Sequence, residues 1–157
     1  MTNCSTTQIS DKFWQKLESG EEAYFKAQGR SMLPLFPSGT VFILKKVPSV
    51  NISTGDIVLA KQGHNTIIHR VVDIRKDGKE IITKGDFLTE NDQSFKPDQI
   101  LAIAVAVIIG SYTIPLNRKS AKIVNSSIAK LSCCSAPLLR LARNLKRKFP
   151  SKEQKGR

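Results

Sequence analysis

The sequence predicts a mostly β domain, a small antiparallel barrel or bent sheet, with a short helix ahead of it and a basic helical segment behind. Three observations carry that expectation. Short runs rich in β-branched and aromatic residues recur between Ala23 and Ile114, the composition that suits a pleated, half-buried surface. Polar turns containing glycine or proline separate them, which favours short strands joined locally over crossover helices. Helical spacing of apolar residues occurs only outside that region, before Gly20 and after Pro115.

Each element has its own signal. Over residues 7–19, Ile9, Phe13 and Leu17 recur every four residues, Trp14 widens the stripe and Gly20 is a stop, so this stretch reads as an amphipathic helix with Trp14 packing it on the domain. Val41–Lys46 follows the turn Pro37-Ser38-Gly39, and Ile57–Lys61 follows Thr54-Gly55-Asp56. Thr66–Ile74 is a longer extended segment. Lys76-Asp77-Gly78-Lys79 is a hairpin turn before Glu80–Thr83, and Ile100–Ile109 closes the series. No internal repeat is visible. At Pro115 the character changes. Residues 118–149 read as helical in two pieces broken at Pro137. In the second piece Leu138, Leu141, Ala142, Leu145 and Phe149 share a stripe, and Arg140, Arg143, Lys146, Arg147 and Lys148 crowd the remaining face. Beyond Pro150 the composition predicts disorder. The chain thus divides into a lead-in helix (1–22), a β domain (23–114) and a basic tail (115–157).

With 157 residues the chain has room for one real core. Its net charge of +12 is uneven: residues 1–117 hold 13 Lys/Arg against 12 Asp/Glu, and residues 118–157 hold 12 against the single acid Glu153. A nearly neutral body with a cationic extension points the extension at an anionic partner. Cys4, Cys133 and Cys134 are odd in number, and neither they nor the histidines have a metal-ligand spacing. That predicts neither a disulfide framework nor a metal site, no cofactor, and a reducing compartment. The polar N-terminal region has no apolar signal core. Ile100–Ile109 is too short for a helix across about 30 Å of hydrocarbon, and its Ile/Val/Ala content reads as a buried strand. The expected location is cytoplasmic or at a membrane periphery.

The candidate chemistry lies in three segments: Gly29-Arg30-Ser31-Met32-Leu33-Pro34, Ile68-His69-Arg70-Val71, and Lys84 to Asp92. Together they offer a hydroxyl, an imidazole and a carboxylate. A serine hydroxyl is a poor nucleophile until a base stands within hydrogen-bond reach, and the base works best when a third group fixes its tautomer. Of the two histidines, His64 sits in the turn-like Gln62-Gly63-His64-Asn65 and reads as solvated. His69 lies inside a strand, sharing a face with Ile67 and Val71 while Ile68 and Arg70 face the other way. On position alone it reads first as a structural histidine. Lys61 and Lys84 are the lysines that could serve a Ser/Lys pair, and both read as solvated.

The segments Gly-x-Ser-Met-x-Pro (29–34), Gly-Asp-Ile-Val (55–58), His-Arg-Val (69–71) and Thr-Lys-Gly-Asp (83–86), with Asp92 beyond, resemble type I signal peptidases and the wider signal-peptidase/SOS-repressor serine peptidase clan (S24/S26). They look most like the branch of the endoplasmic reticulum, archaea and some spore-forming bacteria, in which histidine replaces the lysine base. The resemblance covers roughly residues 23–110. Order and spacing fit, with 38 residues from Ser31 to His69 and 23 from His69 to Asp92. It implies that Ser31 is the nucleophile, His69 the general base and Asp92 the carboxylate of a triad, with Asp86 and Gly29 in supporting places. It further implies that Met32 and Pro34 shape the wall beside the nucleophile, and that substrate is bound as an added strand along Ala23–Gln28, where Ala27 and Gln28 adjoin the site.

Two departures stand out. Many relatives carry a serine two positions before the nucleophile that helps hold the oxyanion; here it is Gly29. Relatives also carry a membrane-spanning helix, and none is seen here. The reading that results is a serine endopeptidase cutting leader or signal-like peptides from a precursor. The basic tail has three readings, a helix lying on an anionic membrane surface, a helix packed on the barrel, or a solubilising extension, and no nucleic-acid partner is expected because aromatic residues are scarce in it. The alternative is a catalytically weak or inactive peptidase-like module that binds peptides or scaffolds at a membrane surface. A self-cleaving regulator ranks last, since the residues before the domain are too few for a DNA-binding head.

Overall fold

The computed structural model describes residues 10–46, 48, 51–116 and 127. Ile9 and, apart from Ser127, the expected helical tail over 118–149 and the residues after Pro150 lie outside them.

Helix α1 spans Asp11–Glu18 and buries Phe13 and Leu17, which are four residues apart and therefore on one face. Trp14 lies edge-on to Phe13, with ring centroids 5.1 Å apart. Gly20, at φ 81°, ends the helix in the left-handed region that glycine enters without steric cost. Phe13 and Leu17 share one core cluster with Phe25 and Phe42 of the sheet.

Among the described residues eight strands form one antiparallel sheet: β1 (Ala23–Lys26), β2 (Val41–Lys45), β3 (Ile57–Gln62), β4 (Asn65–Arg75), β5 (Glu80–Lys84), β6 (Ser94–Phe95), β7 (Ile100–Ile109) and β8 (Tyr112–Pro115). The spatial order is β1-β2-β7-β3-β4-β5-β6, with β8 also on β7. The sheet does not close into a barrel, so the bent-sheet form of the expectation is the one adopted, with β1 and β6 at its ends. A one-turn 3-10 helix, Pro97–Gln99, leads into β7. The long apolar run of β7 is explained by its neighbours: β2 pairs along 103–108, β3 along 100–103 and β8 along 106–109.

Register breaks between Ile43 and Leu44, Leu59 and Ala60, and Val71 and Asp73 mark bulges or irregularities, the device by which a sheet bends and gains twist. The curvature lets the central strands bury both faces. Ile57, Leu59 and Ile68 face the larger core with Phe42 and Met32, whereas Val58, Val71 and Ile81 face a second one. β6 and β8 are additions to the strands that the sequence predicts. Leu116 is buried in the main core and its N–H donates to the Val105 carbonyl at 2.8 Å.

Candidate active site

Ser31 stands on the loop between β1 and β2. The base of that loop continues the ladder: the Ala27 N–H donates to the Thr40 carbonyl at 2.9 Å and the Gly39 N–H to the Ala27 carbonyl at 2.8 Å. Within it the Leu33 N–H donates to the Arg30 carbonyl and the Phe36 N–H to the Met32 carbonyl, at 3.3 and 3.0 Å, making a tight turn that contains the cis Leu33–Pro34 bond. Met32 and Phe36 are buried in the main core and hold the turn down, leaving Ser31 half-buried at the surface. Of the other residues expected near substrate, Ala27 is half-buried, and Gln28 and Pro34 are exposed.

His69 comes from the middle of β4. The register places Val58 opposite His69 and Thr83 opposite Val71, so His69, Val58, Val71 and Thr83 share the face that alternation predicts. Asp92 lies beyond β5, tied back to it: its N–H donates to the Thr83 carbonyl at 2.8 Å, and the Thr83 hydroxyl donates to Asp92 Oδ2 at 2.5 Å.

These elements bring the three side chains together. His69 Nδ1 is 2.6 Å from Asp92 Oδ2, and His69 Nε2 is 3.0 Å from Ser31 Oγ. A carboxylate only accepts, so Nδ1 carries the hydrogen that faces Asp92. In the neutral ring Nε2 is then the acceptor, and the Ser31 hydroxyl donates to it. The result is a directed chain from hydroxyl to imidazole to carboxylate, terminated by Thr83. It is arranged to move a proton off Ser31 and to stabilise the imidazolium that forms.

The nucleophile segment is fixed from below by the β5–β6 loop. The Phe87 N–H donates to the Ser31 carbonyl at 2.8 Å. Gly85 lies so close that a Cβ there would sit 2.7 Å from the Ser31 carbonyl oxygen and 2.9 Å from Ser31 Cβ. Glycine is required at 85 by space alone. At Gly29 it is required by conformation, because φ is 102° while a Cβ there would meet nothing within 4 Å. The Gly29 N–H donates to Ser38 Oγ at 3.3 Å.

Asp86 is paired with Arg70. Its two carboxylate oxygens accept from Arg70 Nε and Nη2, each at 2.8 Å, and Arg70 Nη1 donates to the Gly55 carbonyl at 3.1 Å. The Arg70 side chain is fully buried and that of Asp86 is 4% exposed. This fork-to-fork pair links three of the sequence segments. Gly55 and Asp56 add main-chain bonds to Val71, both 2.8 Å. The separate motifs are thus one connected structure around Ser31 and His69.

Lys84 corrects an expectation. It is 1% exposed, not solvated, because it lies on β5 directly opposite Arg70, on the inward face of a doubly covered strand. Lys61 and His64 are exposed. Thr83, Gly85 and Arg70 belong to the sequence motifs, but the motifs alone assign them no role; the signal for Thr83 is the two-residue alternation that puts it on the His69 face. Among the described residues no group of three or more His, Cys, Asp or Glu could hold a metal ion, and no helix is long and apolar enough to cross a membrane.

Ser31 and His69 thus stand side by side on an open antiparallel sheet. The chain belongs to the Peptidase S24-like family, whose model matches residues 5–112. No curated protein and no solved structure matches it.

Proposed function

We propose that this protein is a serine endopeptidase that removes leader or signal-like peptides from a precursor, with Ser31 as nucleophile, His69 as general base and Asp92 as the group that orients it. The observation that carries the reading is the hydrogen-bonded chain Ser31–His69–Asp92 with Thr83 behind it.

In this reading a peptide carbonyl is held over Ser31 Oγ. As the hydroxyl attacks, its proton passes to His69 Nε2, and the imidazolium is stabilised by Asp92. The tetrahedral oxyanion needs a donor, and the Ser31 N–H gives to no acceptor among the described residues, which suits that task. His69 then returns the proton to the leaving amine, and a water activated by the same imidazole hydrolyses the ester. The substrate enters as an extended strand against the end strand β1, where main-chain bonds supply affinity. The basic segment 118–157 contacts anionic lipid in the same reading, and vesicle binding that is unchanged on deleting it would count against that part.

The test is mass spectrometry of new protein N-termini in cells carrying the wild-type chain, Ser31→Ala or His69→Ala, alongside covalent labelling of the purified proteins by a fluorophosphonate. Cleavage and labelling that depend on both residues support the peptidase. The absent side chain at Gly29 favours the second reading, a peptide-binding module without turnover. That reading expects peptide binding with no product and no labelled Ser31.

A further inference from the structure

We infer that the apolar stripe of residues 138–149 docks on the uncovered end of the main-core face, over Tyr112 and Ile114 of β8, and turns its basic residues outward. This stands apart from the peptidase reading. Residues directly opposite in an antiparallel ladder point to the same side, so the register sets a row across four strands: Phe25, Phe42, Val107 and Ile114. The first three are buried in the main core. Tyr112 stands opposite Ile109, two residues from Val107, and so shares their face. Ile109 packs against the same core, and Leu116, two residues past Ile114, is buried in it. At the β1 end α1 covers this face, with the Phe13 and Phe25 ring centroids 6.2 Å apart. At β8 the cover runs out: among the described residues Ile114 is 45% and Tyr112 76% exposed. Apolar side chains that continue a core face into solvent call for a partner.

The chain itself supplies the occupant. Leu138, Leu141, Ala142, Leu145 and Phe149 share a stripe with nothing apolar opposite it, since Arg140, Arg143, Lys146, Arg147 and Lys148 crowd the remaining face. Tyr112 is about 14 Å of extended chain from Leu116, and residues 117–137 as a flexible linker span about 25 Å. A tether of that reach holds the stripe near the face at roughly millimolar local concentration. Tyr112 and Ile114 fall well short of the roughly 800 Å² per partner that a stable dimer buries, so a tethered segment suits this face better than a second copy does. Docking also leaves the cationic side chains in water, whereas a stripe laid on lipid leaves Tyr112 and Ile114 bare.

The experiment uses the full-length chain with Cys4, Cys133 and Cys134 replaced by serine. Ile114→Cys is combined with Leu145→Cys, on the stripe, or with Arg143→Cys, on the basic face, and each protein is oxidised. The stripe pair should close an intrachain disulfide about tenfold faster, because an undocked tether brings both tail positions to the strand alike. Equal rates overturn the inference. So does an interchain bond, which makes a second copy the occupant. Protection of Ile114→Cys from a maleimide only when phosphatidylglycerol vesicles are added makes the occupant a lipid surface and overturns it too. A urea melt followed by Trp14 is the second measurement. Tyr112→Ser with Ile114→Ser, and Leu141→Ser with Leu145→Ser, should each lower the midpoint, and all four together should lower it no further than the larger of the two. Losses that add, or a tail pair without effect, overturn the docking and leave the peptidase reading where it stands.

Discussion

Replacing Gly85 by alanine tests the geometry most directly. The added methyl would meet the Ser31 carbonyl oxygen at 2.7 Å, Ser31 Cβ at 2.9 Å and Leu88 Cδ1 at 3.0 Å. Ordinary contact begins at 3.4 Å, so a shift of about 0.7 Å must come from the main chain of one segment or the other. Leu88 can swing aside, but the Ser31 carbonyl is held by the Phe87 N–H at 2.8 Å. Overpacking of this kind destabilises by about 1–3 kcal/mol. The larger effect falls on chemistry. A displacement approaching 1 Å can slow a positioned reaction by about 10²-fold, and the 3.0 Å hydroxyl–imidazole contact is the first to open. The assay is the rate at which a fluorophosphonate labels Ser31, measured beside a urea melt followed by Trp14, the only tryptophan. The expected outcome is a labelling rate lower by about 10–10²-fold while the native baseline is retained. A variant that labels at the wild-type rate would refute the claim that close approach of Gly85 sets the position of the nucleophile.

Three further outcomes follow from contacts already described. Thr83→Val keeps the shape but removes the hydroxyl that donates to Asp92, a hydrogen bond to a charged group worth about 1.5–3 kcal/mol; turnover should fall with KM little changed, and steady-state kinetics on a peptide spanning a cleavage site mapped by mass spectrometry will read it. Arg70→Met or Asp86→Leu alone leaves a buried charge without its partner and should destabilise by about 3–5 kcal/mol, whereas the double variant should recover much of that loss in a urea melt. Gly29→Ser restores the side chain of many relatives but forces serine to φ near 102°, at about 1–3 kcal/mol of backbone strain; a faster enzyme with an unchanged melting temperature would contradict this.

Local elements are legible where a single period dominates. The four-residue spacing of Phe13 and Leu17 marks α1, and the two-residue hairpin at Gly63 and His64 and the glycine-containing turn at Lys76–Lys79 fall where turn chemistry puts them. β6 is hidden because Ser94–Phe95 is only two residues between polar stretches, and β8 because Gly110 reads as an end and Pro115 discourages a strand. Pairing of β2 with β7 joins residues more than fifty positions apart, which no local pattern records. In the site, it is the family resemblance of the motifs that points to Ser31, His69 and Asp92, since position alone leaves His69 a structural histidine; the structure links the three by hydrogen bonds through the His69 ring. The partner of Asp86 is not legible, since nothing local says that Arg70 turns inward. The burial of Lys84 escapes the sequence for the same reason: charge alone predicts exposure, whereas the register with Arg70 decides it.

The main-chain bond from Phe87 to Ser31 spans fifty-six positions and joins the loop after β1 to the loop after β5, near opposite ends of the strand order. Neither terminal hairpin can assemble the hydroxyl–imidazole pair by itself. In the peptidase reading, reactivity is therefore an emergent property of the finished sheet: a nascent or half-unravelled copy should be chemically mute, and labelling of Ser31 in a denaturant series would double as a gauge of complete folding.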